Sequence, residues 1–255
     1  MKPRRSFFIY ALSLLCLITT GDRILAQSEI SSLGEQLIAA FKAEDYTLVL
    51  SLTEKTKSPI RHQARSSAFE RRGEQRFFAG KIKDSIADFD QYIALNPERE
   101  PHHWQRGIAY YYAAAYTKGK AQFEIHQTVN SQDVENAVWH FLCAVRAPEG
   151  QVEQARKKFI PIDSDQRIPM KEIHDLFAGS GSEQAVLDAA RSDKPNAEDL
   201  RNQLCYAHLY LGLYYEALGQ KDKSAQHIRL AANDYKMDHY MGKVAQVHAQ
   251  LRGIK

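Results

Sequence analysis

Apolar residues recur at helical spacing along most of this chain, with polar residues between them. Leu33, Leu37, Ile38 and Phe41 form the first such stripe. After the turn-forming Glu44-Asp45, the pattern resumes from Tyr46 to Leu52, and Pro59 closes the pair. A spacing of three and four residues puts the apolar side chains on one buried face of a helix. Proline stops such an element because it has no amide to donate within the helix.

Further along, the pattern repeats with a period of 34 residues. Gly73 and Phe89 recur as Gly107 and Phe123, and Arg72-Gly73 recurs as Arg106-Gly107. In the segment 66–99, small residues at Gly73 and Ser85 let two helices approach closely, and Phe89 fills the space between them. Gly80 ends the first helix at positive φ, and Pro97 stops the second. In the segment 100–133, Gly107, Tyr110, Tyr116, Gly119 and Phe123 follow the same frame. Ser131 stands where Pro97 stood and is expected to cap the next helix. A third unit starts two residues late, at 136, with Trp139, Leu142, Cys143, Gly150, Ala155 and Phe159 in phase.

The pattern then breaks. Ile160 to Asp165 and Pro169 are incompatible with a regular helix. Met170 to Phe177 predicts about two turns. Gly179-Ser180-Gly181 predicts a turn, Ser182 a cap for the helix Glu183 to Arg191, and Ser192 to Asn196 a polar linker. A last unit, 205–238, carries Leu211, Gly212, Tyr215, Gly219 and Ser224 in phase, with Ala225, Ile228, Ala231 and Ala232 on its second helix. Met237 to Leu251 predicts a final capping helix with Met241, Val244 and Val247 inward.

A 34-residue helical period is that of the tetratricopeptide repeat (TPR), two antiparallel helices stacked on neighbouring pairs. The run FAGKIKDSIADFDQYIALNP resembles this family most closely. The expected fold is an all-α, TPR-type helical-hairpin solenoid of about five helical pairs plus a C-terminal capping helix. Its expected parts are a capping pair at 27–65, three repeats at 66–159, an irregular loop and degenerate repeat at 160–204, and a last repeat with capping helix at 205–255. The stretch HLYLGLYYEALGQKDKSAQHIRLAANDY is similar to the last repeat of a bacterial TPR lipoprotein, an envelope adaptor for proteases and peptidoglycan hydrolases.

The resemblance implies a groove lined by recurrent positions of each first helix. Those positions are Ser67, Glu70, Glu74 and Phe77, then Pro101, Trp104, Ile108 and Tyr111, then Ala137, His140, Ala144 and Ala147. Among them Glu70, Glu74, Phe77, Trp104, Ile108, Tyr111 and His140 are the candidate peptide- or protein-binding residues. Phe77, Trp104, Ile108 and Tyr111 would form an aromatic patch of the kind that anchors interfaces. Cover by another part of the chain, the 160–181 segment included, is the competing expectation. The family's best-known mode grips a peptide carboxylate with Lys, Asn and Arg; Glu, Trp and His stand here instead.

Charge and targeting narrow the setting. Residues 1–26 read as a signal peptide: Lys2, Arg4 and Arg5, then an apolar run from Phe7 to Thr20, then a small residue at Ala26 for cleavage before Gln27. The run is short for a membrane span, and Leu15 before Cys16 does not fit lipidation. The chain is expected to be exported, periplasmic or secreted, with no span in the mature part. The segment holds Lys2, Arg4, Arg5 and Arg23 against Asp22, so the chain's 34 basic and 31 acidic residues fall to 30 of each. A neutral mature chain gives no support to nucleic-acid or anionic-membrane binding. Cys143 and Cys205 lie in apolar helical patterns and read as buried free thiols.

No catalytic constellation emerges: there is no phosphate loop, HExxH, CxxC or GxSxG. His102-His103 lacks a third metal ligand, and Asp163-Ser164-Asp165 lacks the rest of a calcium loop. Glu70 and Glu74 share a helix face but sit among Arg71 and Arg72, a solvated or peptide-binding arrangement rather than an acid–base pair. The expected function is that of a non-enzymatic, cofactor-free scaffold or adaptor for a peptide or protein in the cell envelope. The alternative is a structural or assembly subunit, with Tyr206, Tyr210, Tyr214 and Tyr215 building a homodimer.

Overall fold

The computed structural model describes residues 32–55 and 60–255. The expected signal peptide at 1–26 and Pro59 lie outside these. The described residues are all-α, with no strand. We number the helices α1 (32–42), α2 (Tyr46–Leu52), α3 (Ile60–Phe78), α4 (Ile82–Leu95), α5 (Trp104–Tyr112), α6 (Tyr116–His126) and α7 (Val134–Arg146). They continue as α8 (Val152–Lys157), α9 (Met170–Ala178), α10 (Glu183–Ala189), α11 (Ala197–Ala217), α12 (Lys221–Arg229) and α13 (Tyr240–Arg252). Short 3₁₀ and π turns, Pro97–His102 and Leu230–Asp234, follow α4 and α12.

Consecutive helices pack on one another, most extensively α3 on α4, α11 on α12, α6 on α7 and α5 on α6. Four of the reversals use one turn. A left-handed residue stands at Glu44, Gly80, Ala114 and Gly219, with φ of 54°, 73°, 57° and 73°. The next amide reaches back five residues: Asp45 to Ala40, Lys81 to Arg76, Ala115 to Tyr110 and Gln220 to Tyr215. This is the Schellman closure, which satisfies a helix's last carbonyls while reversing the chain.

The 34-residue period has two structural causes. The first is close approach. A Cβ on Gly73 would stand 2.5 Å from Phe89 Cε1, and one on Gly107 2.6 Å from Phe123 Cζ. Gly212 stands in the same way against Ile228. The second is a polar clasp that the Arg-Gly dipeptide only hints at. Arg72 grips Asp88 through Nε and Nη2 at 2.9 and 2.7 Å. Arg106 grips Gln122 Oε1 through the same nitrogens at 2.9 and 2.7 Å. Each clasp ties the first helix of a hairpin to its second.

Several boundaries differ from the sequence expectation. α3 begins at Ile60, ahead of the expected repeat start at 66. α11 begins at Ala197 rather than near 205, because the Asn196 side chain accepts the amides of Glu198 and Asp199. Asp133, not Ser131, caps α7: its Oδ1 accepts the Glu135 amide. Phe159 lies beyond the end of α8 and packs on Phe141 and His174. Ser182 does cap α10, accepting the Ala185 amide, and Cys143 and Cys205 are free and buried.

Two buried clusters form the interior. The smaller joins α1 and α2 to α3 and α4 through Leu37, Val49, Ala68 and Phe69. The larger runs from Phe77 to Ala249 and includes Trp139, Phe141, Phe177 and Tyr210. α13 belongs to the larger cluster. It packs on α11 and α12, as a cap would, and also lies against α3.

Candidate functional site

The first helices α3 and α5 present Phe77, Phe78 and Trp104 on a common inner face, and Tyr240 at the start of α13 sits among them. Its ring stacks on Phe77 at 6.0 Å and meets Phe78 and Trp104 edge-on at 5.0 and 4.7 Å. One helical turn spacing then brings Met241, Val244 and His248 of α13 into the interior. His248 Nδ1 lies 3.1 Å from the Tyr112 hydroxyl. The C-terminal helix therefore fills the face on which a groove was expected.

The candidate residues divide accordingly. Phe77, Ile108 and Tyr111 are buried in the main cluster. The Tyr111 hydroxyl donates to Glu216 at 2.6 Å. Glu216 also accepts from Arg252 of α13 at 2.6 Å and pairs with Arg146 of α7 at 3.4 Å. Burial pushes the Glu216 pKa up, but His248, Arg252 and Tyr111 outweigh it and leave it below its ordinary value. His140 is buried and turned to α6, with Nε2 3.3 Å from Glu124. Glu70 and Glu74 are half-buried on α3, and burial raises both carboxyl pKa values. Trp104 is partly exposed.

The tyrosines of α11 are held within the chain. Tyr210 donates to Glu135, Tyr215 donates to Glu183, and Tyr214 accepts from Arg156. His102 and His103 point apart: His102 is exposed, while His103 is buried and caps α5 by accepting the Arg106 amide. Burial, with Arg106 beside it, lowers the His103 pKa to about 4. A buried pair, His208 and His227, brings two Nδ1 atoms within hydrogen-bond distance at 2.9 Å, with Glu183 3.5 Å from His227 Nε2. No described group of His, Cys, Asp and Glu is arranged to hold a metal ion.

An opening remains beside the first turn of α13. A cavity of about 200 Å³ is bounded by α5, α6, α7, the 160–169 segment and the approach to α13. Both tryptophans of the chain, Trp104 and Trp139, line it, with Ile108 and Phe123. Its polar wall is Asp133, Glu135, Asn136, Arg167, His126 and His239. The irregular segment is pinned there. Arg167 donates to Asp133 at 2.7 Å, to Asp165 at 2.6 Å and to Glu135. Asp163 and Ser164 amides donate to Gln132 at 2.8 and 3.0 Å, and the Val134 amide to Asp165 at 3.2 Å.

Burial raises the Glu135 pKa, while Arg167 and Tyr210 oppose that. Burial, then Arg167, lowers that of His239. Three buried polar atoms in the lining have no hydrogen-bond partner: Trp139 Nε1, Asn136 Oδ1 and His126 Nε2.

Comparison with known protein families gives no match.

Of this cavity, the sequence pointed to Trp104 and Ile108. It missed Asp133, Glu135, Asn136 and Arg167. Arg167 lies 32 to 34 positions beyond the acids of α7 that it bonds, within a segment whose only linear signal is that it breaks a helix.

Proposed function

We propose that this protein is a non-catalytic, exported TPR-type scaffold that binds a peptide or protein partner in the cell envelope. The observation that supports this reading is the aromatic inner face itself. It already receives one amphipathic helix, α13, through Tyr240 on Phe77, Phe78 and Trp104. A face shaped to seat a helix from its own chain has the chemistry of helix-in-groove recognition. Trp104, partly exposed at the edge of that face and on the cavity wall, is the residue through which a partner is engaged. Phe77, Ile108 and Tyr111 are buried in the main cluster behind this face.

The chemistry of the rest agrees with binding rather than catalysis. Among the buried histidines, His103 caps a helix, His248 meets a hydroxyl, and His208 and His227 pair with one another. The thiols of Cys143 and Cys205 are buried, and burial raises their pKa values, to about 11 for Cys205. Thiols held protonated are poor nucleophiles.

Affinity capture from an envelope fraction tests the proposal. Wild-type protein is expected to retain a defined partner, and Trp104→Ala to lose it by at least about tenfold, as truncating an aromatic anchor does. Circular dichroism must show Trp104→Ala folded. Equal retention by the folded variant would remove Trp104 from the interface.

A further inference from the structure

The cavity between Trp104 and Trp139 has a charge and hydrogen-bond balance that selects its ligand. Arg167 is its only guanidinium, and that group is divided among Asp133, Glu135 and Asp165. Three carboxylates around one cation leave a surplus of negative charge. The side chains of Asp133, Glu135 and Asp165 are only 16 %, 15 % and 5 % exposed, so solvent screens that surplus weakly.

The unpartnered atoms point the same way. Asn136 spends its amide nitrogen on Phe123 O at 3.2 Å and Gln127 Oε1 at 2.8 Å, both acceptors. Its Oδ1 is therefore a free acceptor. His126 Nδ1 lies 2.8 Å from the Pro101 carbonyl, which only accepts, so Nδ1 carries the proton. His126 Nε2 has no hydrogen-bond partner and faces Asp133 Oδ2 at 4.0 Å. Trp139 Nε1 is an unmet donor. A buried acceptor without a partner, here Asn136 Oδ1, costs free energy, and a donor-rich group recovers it. The remaining walls are aromatic and apolar: Trp104, Trp139, Phe123 and Ile108.

We propose that this cavity is a binding site for an organic cation, a primary ammonium or guanidinium head on a short apolar stem, as a lysine or arginine side chain of a protein partner supplies. The head takes the surplus carboxylate charge and donates toward the free acceptor Asn136 Oδ1. The stem and the face of the cation lie against the indoles, where the ring quadrupole adds attraction. An anion would meet excess negative charge, and a bare divalent metal would find no set of three suitable ligands among the described residues. A volume of about 200 Å³ accommodates a side chain of this size. The site stands on its own geometry; only the assignment of the cation to a protein partner rests on the scaffold reading.

Both tryptophans line the cavity, so intrinsic fluorescence reads occupancy directly. The probes are pentylammonium, pentylguanidinium, N-acetyl-lysine amide and, as neutral control, 1-pentanol. The cations are expected to change the emission saturably, with at least tenfold tighter binding than 1-pentanol and a loss of affinity as salt rises. N-acetyl-lysine amide binding at least as well as pentylammonium assigns the site to a peptide side chain; a free amine binding alone assigns it to a small amine, and retains the site while removing the peptide source. Asp133→Asn and Glu135→Gln are each expected to weaken cation binding about tenfold with little change for 1-pentanol. Trp104→Phe keeps an aromatic wall and the Trp139 reporter, and is expected to bind within about threefold of wild type. No saturable response to any cation, or equal affinity for 1-pentanol, overturns the proposal. Because no macromolecular partner is used, that outcome is separate from the result of the capture experiment.

Discussion

Gly107→Val is expected to destabilise the protein by about 3 kcal/mol, while Gly34→Ala stabilises it by up to about 1 kcal/mol. Both glycines lie in helices, where an added Cβ is favourable on backbone grounds. Their surroundings decide the sign. At Gly107 a Cβ would stand 2.6, 2.9 and 3.0 Å from three atoms of the Phe123 ring. That ring is fully buried and has no room to withdraw. Valine adds two further carbons on a stiff side chain, so α5 and α6 must separate. At Gly34 nothing lies within 4 Å of the added atom. Urea unfolding midpoints of the two variants check the pair. A Gly107→Val midpoint equal to wild type would show that the hairpin does not close on Phe123.

Acid is expected to destabilise the fold well above the carboxylate range. His103, His208 and His248 each have the pKa lowered to about 4, chiefly by burial. The ordinary histidine value is near 6.5, so between about 6.5 and 4 the unfolded chain binds protons that the folded chain refuses. Their contribution is complete above pH 6.5 and is lost as pH falls through that window. Each histidine contributes about 1.4 kcal/mol per pH unit, so on the order of 4–6 kcal/mol is lost by pH 5. That is a large part of a typical domain's stability.

Glu70 and Glu74 act in the opposite sense, because burial raises their pKa values and the folded state takes their protons first. His103→Asn should flatten the pH dependence of Tm by about one proton while keeping the cap of α5, since asparagine is a good N-cap. A Tm constant from pH 7 to 5 would contradict this account of the buried histidines.

The local rules were legible where one residue determines one outcome. Gly73 and Gly107 announced the close approach to Phe89 and Phe123, 16 positions on, and Gly80 announced its turn. Met170 and Ser182 marked helix starts correctly. Cap competition was less legible: Ser131 has a suitable side chain, but Asp133 is adjacent to the helix and takes the role. The repeat positions of α3 and α5 identified an aromatic face, yet spacing within a hairpin carries no information on what lies opposite. That depends on Tyr240, more than 130 positions from Trp104, and on the path that the π turn at Leu230–Asp234 gives to α13. The cavity was least legible, because its acids and Arg167 come together only when the irregular segment is pinned to α7.

The seating of α13 on the aromatic face is the claim on which the cavity, the role of Trp104 and the closed interior all depend. A double-mutant cycle between Trp104→Leu and Tyr240→Leu, followed by urea unfolding, tests it most directly. The rings meet edge-on at 4.7 Å, so a coupling energy of about 0.5–1.5 kcal/mol is expected. Strictly additive single and double variants would mean that α13 does not rest on this face.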